Sequence, residues 1–241
     1  MAASAKFKED ASAEPRLVGV HSQLAKREFV ARKPVNAIDG SVCAYLAQAP
    51  AMVLTHAVRR LRGTPLPSRA EREEALRRAG DLYRSATLRG LTPEAYVEAT
   101  MAVTGLPRGV CETSLETIAT ATADACAIAA LGLPKDAAWE PRASAAWEGC
   151  AQLMRRGDVL AVIAPGNGPG VHALWPQALA LGYKVAVRPS EREPFTVERL
   201  IAAMALCTPP FLFIFFEATL QIMLPKGITE PLFYPIYRLL Y

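Results

Sequence analysis

The chain has 241 residues, 51% hydrophobic and 21% charged, with a net charge of +4. That length and apolar content can bury a sizeable core, which excludes a disordered protein, and its 15 glycines and 19 prolines follow no period, which excludes a collagen-like or low-complexity chain. Lysines and arginines are scattered, with no basic stripe interleaved with aromatics, so no nucleic-acid partner is expected.

Residues 1–15, MAASAKFKEDASAEP, carry lysines with no apolar run behind them and read as a loose, solvated lead-in, not a secretory signal. The cysteines (Cys43, Cys111, Cys126, Cys150, Cys207) are widely spaced and form no CxxC. The histidines (His21, His56, His172) are equally far apart, so no metal site is expected. A reducing, cytoplasmic compartment is the simplest reading.

Between 16 and 66 the signals are mixed, and the apolar runs at 17–20 and 51–54 suit strands and helix pieces alike. Helical signals strengthen after Pro67. Ser68 and Glu71 have capping-box spacing. Leu76, Ala79, Tyr83 and Ala86 recur at a helical period, and Gly90 is the expected stop. Thr92 with Pro93 opens a second helix, whose inner face is Tyr96, Val97, Thr100 and Met101, and Gly105 with Pro107 ends it. A third helix is predicted over 109–131, stopping at Gly132 and Pro134. These three read as a helical layer covering a core, without chemistry of their own.

A loop with Trp139 and Trp147 follows. Residues 159–163, VLAVI, form a continuous apolar run of strand length, as expected for a strand buried on both faces of a parallel sheet. APGNGPG at 164–170 is a tight turn, 171–181 has helical character ending at Gly182, and 184–187 reads as a second strand. Strand, loop, helix and strand make a βαβ unit, for which a right-handed crossover is expected. Arg188-Pro189-Ser190-Glu191 lies just past the carboxyl end of the second strand, where open α/β sheets bind ligands. Pro194 opens a last helix carrying Val197, Leu200, Ile201 and Met204.

The composition then changes. The last 34 residues hold one alanine, five of the eight phenylalanines and three of the seven tyrosines. Three explanations stand: a membrane-seeking tail, an ordinary buried end, or a foreign segment from a shifted frame or a fusion. Residues 209–224 number 16, fewer than the ~20 of a spanning helix. Glu217 sits in their midst, where a charge costs roughly 3 kcal/mol. Residues 211–216 are an uncharged apolar window of the aggregation type. The expected organisation is a lead-in at 1–15, one folded unit at 16–206 and an apolar aromatic tail at 207–241.

The glycine loop matches neither common phosphate motif. A P-loop needs GK[ST], but Val171 and His172 follow Gly170. A GxGxxG fingerprint is met at Gly166 and Gly168 but not at Val171. Asn167 is the loop's only side chain with both a donor and an acceptor. Held rigidly at a strand end, its amide suits an oxygen that gains negative charge in a reaction. Asparagine also supports turns, and both roles stay open here. A simple nucleotide module with phosphate at the helix start near Gly170 is a rival reading.

Residues 159–203 resemble the cofactor-domain segment of aldehyde dehydrogenases. That family shows a strand, a Pro-aromatic-Asn turn, a helix, and a strand ending in Lys-Pro-Ser-Glu. Pro165, Asn167 and Pro169 match the first motif, and Pro189, Ser190 and Glu191 match the second at the matching spacing. The PGN-x-PG form looks most like the acyl-CoA reductase branch. Residues 68–132 look like the family's N-terminal helices.

The resemblance implies an α/β fold: N-terminal helices with a partial, Rossmann-like parallel sheet. It implies NAD or NADP as cofactor, and a small aldehyde or an acyl thioester as substrate. It places Asn167 as the catalytic oxyanion donor, and Pro165, Gly166, Arg188, Ser190 and Glu191 at the cofactor, with Glu191 on the ribose hydroxyls. Arg188 stands where the family has lysine, and its fork suits a phosphate, which leans toward NADP. Gly166 and Gly168 depart from residues that are often aromatic in the family. The family's nucleophilic cysteine and its glutamate base lie far downstream of Pro-Ser-Glu. The 50 residues after Glu191 hold neither, and Cys207 is not read as the nucleophile. The expectation is therefore a truncated family member with an unrelated tail, oligomeric like its relatives and with little turnover alone. The alternative is a non-catalytic, membrane-associated protein that uses the apolar tail, residues 209–241, as an anchor, with 209–224 as the stretch for weak membrane association.

Overall fold

The computed structural model describes residues 16–18, 31–134 and 154–207. The lead-in, the loop with Trp139 and Trp147, and the tail beyond Cys207 lie outside the described residues.

The region of mixed signals resolves into a small sheet and a helix. Strands β1 (Arg16–Val18), β2 (Arg32–Asn36) and β3 (Val42–Ala47) lie in the order β1-β3-β2, with β1 parallel and β2 antiparallel to β3. The turn between β2 and β3 closes on Asp39, whose Oδ1 accepts from Ser41 N at 3.0 Å, with Gly40 at φ +85°. Ile38 N donates to Ala102 O at 2.8 Å, which ties this hairpin to the helical layer. Residues 51–54 belong to helix α1 (Ala51–Gly63).

Helix α2 (Arg69–Ser85) starts as the sequence predicts. Glu71 N donates to Ser68 Oγ at 3.3 Å, and Ser68 N donates to Glu71 Oε2 at 2.8 Å. It ends at Ser85, before Gly90; the chain then reverses through a turn closed by Leu88 and Leu91, with Gly90 at φ +76°. Helix α3 (Pro93–Thr104) has Thr92 as its N-cap and ends on Gly105 at φ +72°, as expected. The predicted third helix is two: α4 (Arg108–Ala123) and α5 (Ala125–Leu131), bent by 75° at Asp124. The turn lets Ala125 and Cys126 bury themselves beside Leu76 of α2, which a straight helix would not allow.

Helices α2 and α4 cross closely. A Cβ on Gly80 would lie 2.5 Å from Ala119 O and 2.7 Å from Ala123 Cβ, so only glycine permits this approach.

Strands β4 (Val159–Ile163) and β5 (Lys184–Arg188) form a two-stranded parallel sheet, paired from Val159↔Lys184 to Ile163↔Arg188. Between them lie a 3₁₀ turn (Pro169–Ala173) and the short helix α6 (Pro176–Ala180). The single helix predicted over 171–181 is thus divided, with Pro176 opening its second piece. Strand β4 is not buried on both faces: Leu160 is 38% and Ile163 77% exposed. Among the described residues it pairs only with β5, so one edge has no neighbouring strand and the apolar run is only half covered. Helix α7 (Phe195–Leu206) follows Pro194, and it is almost wholly buried.

The core joins α2, α3 and α7. The rings of Tyr83 and Tyr96 meet edge-on at 6.0 Å, Tyr83 Oη donates to Tyr96 Oη at 3.0 Å, and Tyr96 Oη is hydrogen-bonded to Thr196 Oγ1 at 2.8 Å. Arg199 stacks its guanidinium over both rings at 5.5 and 5.4 Å. It also donates to the carbonyls of Tyr83, Ala86 and Leu91 at 2.9, 2.7 and 3.1 Å. The charge is balanced by carbonyl dipoles and π faces, and it pins the 86–91 turn to α7.

Among the described residues, no single helix is long and apolar enough to cross a membrane. The α4–α5 pair passes by length and composition, but it is bent and packs into the core. The membrane alternative rests on residues 209–241, outside the described set, and gains no support.

Candidate functional site

The two strands of the parallel sheet end side by side, and their loops touch. The β4 ladder runs one step past the strand, with Ala164 N donating to Arg188 O at 3.0 Å. The chain then bends at Gly166 and Asn167. Here Gly166 faces the loop after β5: a Cβ on it would lie 2.2 Å from Ser190 Oγ and 2.9 Å from Arg192 Cβ. Glycine is thus required here by the close approach of the loops. The expected site residues Gly166, Ser190, Glu191 and Arg188 are brought together. Pro165 and Asn167 are exposed on the same loop.

The turn after β5 is held from below. Ser190 Oγ accepts from Arg192 N at 3.1 Å. Glu193 is fully buried, and its Oε1 accepts from Thr196 N at 2.9 Å in the first turn of α7. Its other oxygen is buried without a hydrogen bond. Burial pushes this carboxyl up to about 7, against the partial relief that Thr196 and Phe195 provide.

Glu191 itself points outward. Its Oε1 accepts from Lys33 Nζ at 2.7 Å, and Arg188 stands 3.7 Å from the same oxygen. The hydrogen bond from Lys33 is the largest influence holding this carboxyl below the usual range. Lys33 lies on β2, 158 positions away in sequence, and nothing in the sequence pattern links the two residues.

Behind the glycine loop lies His172, 1% exposed, whose Nδ1 accepts from Trp175 Nε1 at 3.2 Å. Nε2 therefore carries the proton, and it is buried without a partner. Burial pulls this imidazole down to about 4. The rival reading of a phosphate at a helix start near Gly170 loses its support here. A five-residue 3₁₀ turn stands in place of the long helix whose aligned dipoles would attract an anion.

Helix α4 runs alongside the glycine loop. A groove of about 470 Å³ opens between it and the glycine loop, lined by Pro107, Gly109, Val110, Thr113, Ser114, Thr117 and Gly170. Its polar atoms are hydroxyls on one helix face. Small hydroxyl residues spaced along 113–117 are the only trace of it in the sequence.

The described cysteines are not activated. Burial is the largest influence on each and raises the thiols of Cys43, Cys111 and Cys126, and pushes Cys207 up to about 11. Among the described residues no group of three or more His, Cys, Asp or Glu side chains is placed to hold a metal ion.

Comparison with solved structures decides the fold. The chain superposes with a TM-score of 0.61 on an NAD-dependent aldehyde dehydrogenase from Sinorhizobium meliloti, at 17% identity, covering 81% of this chain and 39% of that one. Its fold is that of part of an aldehyde dehydrogenase. A gamma-glutamyl-gamma-aminobutyraldehyde dehydrogenase from Burkholderia cenocepacia gives 0.60 at 21% identity, covering 85% and 42%. A Thermus 1-pyrroline-5-carboxylate dehydrogenase, solved with bound NAD, gives 0.59 at 13%, covering 86% and 40%. The chain thus spans about two fifths of the length of these aldehyde dehydrogenases. No protein-family model and no curated protein matches the sequence. The expected fold class, helices with a partial parallel sheet of the aldehyde dehydrogenase kind, is what the comparison finds.

Proposed function

We propose that this chain is the cofactor-binding part of an NAD(P)-dependent oxidoreductase acting at the aldehyde level. One observation carries the reading: the loops that leave β4 and β5 at their carboxyl ends touch, Gly166 against Ser190, at the edge where open α/β sheets bind ligands. Its residues suit a nucleotide. Glycine at 166 lets the first loop lie against Ser190, Ser190 and Glu191 accept from ribose hydroxyls, and Arg188 supplies a cation. Pro165 shapes the loop that leaves the strand. When bound, NAD or NADP takes or gives a hydride.

Asn167 holds its amide on the loop beside that crevice, as a donor to a substrate oxygen that gains negative charge. A groove beside helix α4 reaches the same loop at Gly170. The groove suits the carbonyl end of a small aldehyde or an acyl thioester, with the hydroxyls of Thr113, Ser114 and Thr117 to orient it.

The chain is expected to supply nucleotide binding and an oxyanion donor, while burial raises the thiols of the described cysteines away from a nucleophile's role. Saturable binding of NAD or NADP to the purified 241-residue chain, by calorimetric titration, is the expected result. Glu191→Ala should weaken binding about threefold or more, as loss of hydrogen bonds to ribose hydroxyls implies. Asn167→Ala should leave binding intact. Absence of saturable binding up to millimolar nucleotide sinks the proposal. Steady turnover of an aldehyde or acyl thioester by the chain alone would overturn the expectation that it turns over little by itself.

A further inference from the structure

Lys33 is a charged residue on a different sheet whose ammonium group ends in the nucleotide crevice. It reaches out from β2 and donates to Glu191 Oε1 at 2.7 Å, while Arg188 stands 3.7 Å from that oxygen. All three side chains are accessible, Lys33 at 48%, Glu191 at 42% and Arg188 at 71%. Glu191 Oε2 is left to accept from a ligand.

The charges decide what such a place accepts. A carboxylate alone would accept from a ribose diol and repel a ribose phosphate, because two anions would share one site. With Lys33 on one side and Arg188 on the other, two cations meet one carboxylate, and the cluster carries one net positive charge. Exposed Arg192 adds positive charge on the same turn. The repulsion that Glu191 would exert is offset, yet its free oxygen remains for a hydroxyl.

We propose that Lys33 is a specificity-determining residue that neutralises Glu191 and thereby admits a phosphorylated adenosine ribose, so that the crevice accepts NADP as well as NAD. This rests on the nucleotide reading of the preceding subsection and adds to it a residue from outside the βαβ unit. Lys33 acts both as a cation toward the phosphate and as a partner that fixes the rotamer of Glu191.

The test is the ratio of NADP to NAD affinity, measured by calorimetric titration of the full chain and of Lys33→Met, Lys33→Glu and Lys33→Arg. Lys33 is half exposed, and unchanged melting midpoints will show that the variants fold. Lys33→Met should weaken NADP about three- to tenfold and NAD by less than about twofold, the range of a partly exposed ion pair. Lys33→Glu should lower the ratio further, and Lys33→Arg should restore it. Raised salt should shrink the difference, since the charges are open to solvent. Equal effects on both nucleotides, or none, overturn the role of Lys33 and leave the nucleotide site standing. If the unaltered chain binds neither nucleotide, the site itself falls and Lys33 loses its role with it.

Discussion

Gly166 and Ser190 stand so close that a methyl group on the glycine would lie 2.2 Å from the serine oxygen. Rotating the serine hydroxyl away would not suffice, because Ser190 Cβ at 3.1 Å and Arg192 Cβ at 2.9 Å are fixed to the backbone. Gly166→Ala therefore forces the two strand-end loops apart. The expected cost is about 1–3 kcal/mol in chemical denaturation, the usual range for overpacking, together with loss of nucleotide binding. Combining it with Ser190→Gly removes one of the two obstacles and should recover part of the stability. An unchanged denaturation midpoint for Gly166→Ala would show that the loops do not depend on each other.

The crossing of α2 and α4 makes a harsher demand. At Gly80 the nearest obstacles are Ala119 O and Ala123 N, both backbone, at 2.5 and 2.8 Å. No rotamer change can relieve them. Gly80→Ala raises helix propensity by about 1 kcal/mol, yet it should destabilise the chain by about 2–3 kcal/mol because the helices must separate. A melting curve comparing Gly80→Ala with Ala79→Gly separates propensity from packing.

Features that depend on a few adjacent residues were legible in the sequence. The Ser68–Glu71 box, the Thr92 cap and the Gly105 stop are all local hydrogen-bonding arrangements, and they sit where their residue types place them. The parallel pairing of β4 with β5 followed from one βαβ pattern. What failed depended on neighbours. The apolar run 159–163 cannot reveal how many strands flank it, so its burial was overestimated. The Ala-rich stretch 109–131 hides its bend because both halves are apolar enough to pack. Glu193, just before Pro194, carries no sequence signal for its full burial at the start of α7. Lys33 joins the site only through folding, since the small sheet and the parallel sheet share no sequence signal.

Arg199 links three segments through one side chain. Its donors satisfy the carbonyls of Tyr83, Ala86 and Leu91 at the end of α2 and in the following turn, where no helical partner remains. Arg199→Lys keeps the charge but cannot reach three carbonyls with a planar fork, so it is not conservative here. A loss of about 3 kcal/mol is expected from the buried groups left unpaired. Amide exchange should rise first at residues 86–91, the segment that Arg199 ties down. Protection there equal to the unaltered protein would show that the cation is incidental.

Two buried titrating groups should shape stability in opposite directions. Glu193 has its carboxyl raised from 4.5 to about 7 in the fold, so the folded state holds its proton more tightly than the unfolded chain does. Its contribution is fully present below 4.5 and is lost as the pH rises through about 7. His172 is the reverse: with its imidazole lowered from 6.5 to about 4, its contribution is present above 6.5 and is lost as the pH falls through about 4. Replacing Glu193 by glutamine keeps an oxygen for Thr196 N and removes the titration. Glu193→Gln should match the original chain below about pH 4.5 and exceed its stability above pH 7 by up to roughly 3 kcal/mol, as a rise from 4.5 to about 7 implies. The pH of maximum stability should move upward, because only the His172 limb remains. Urea denaturation between pH 4 and 9 measures this, and curves that stay parallel across that range would show that the Glu193 carboxyl is not held in its buried, proton-favouring site.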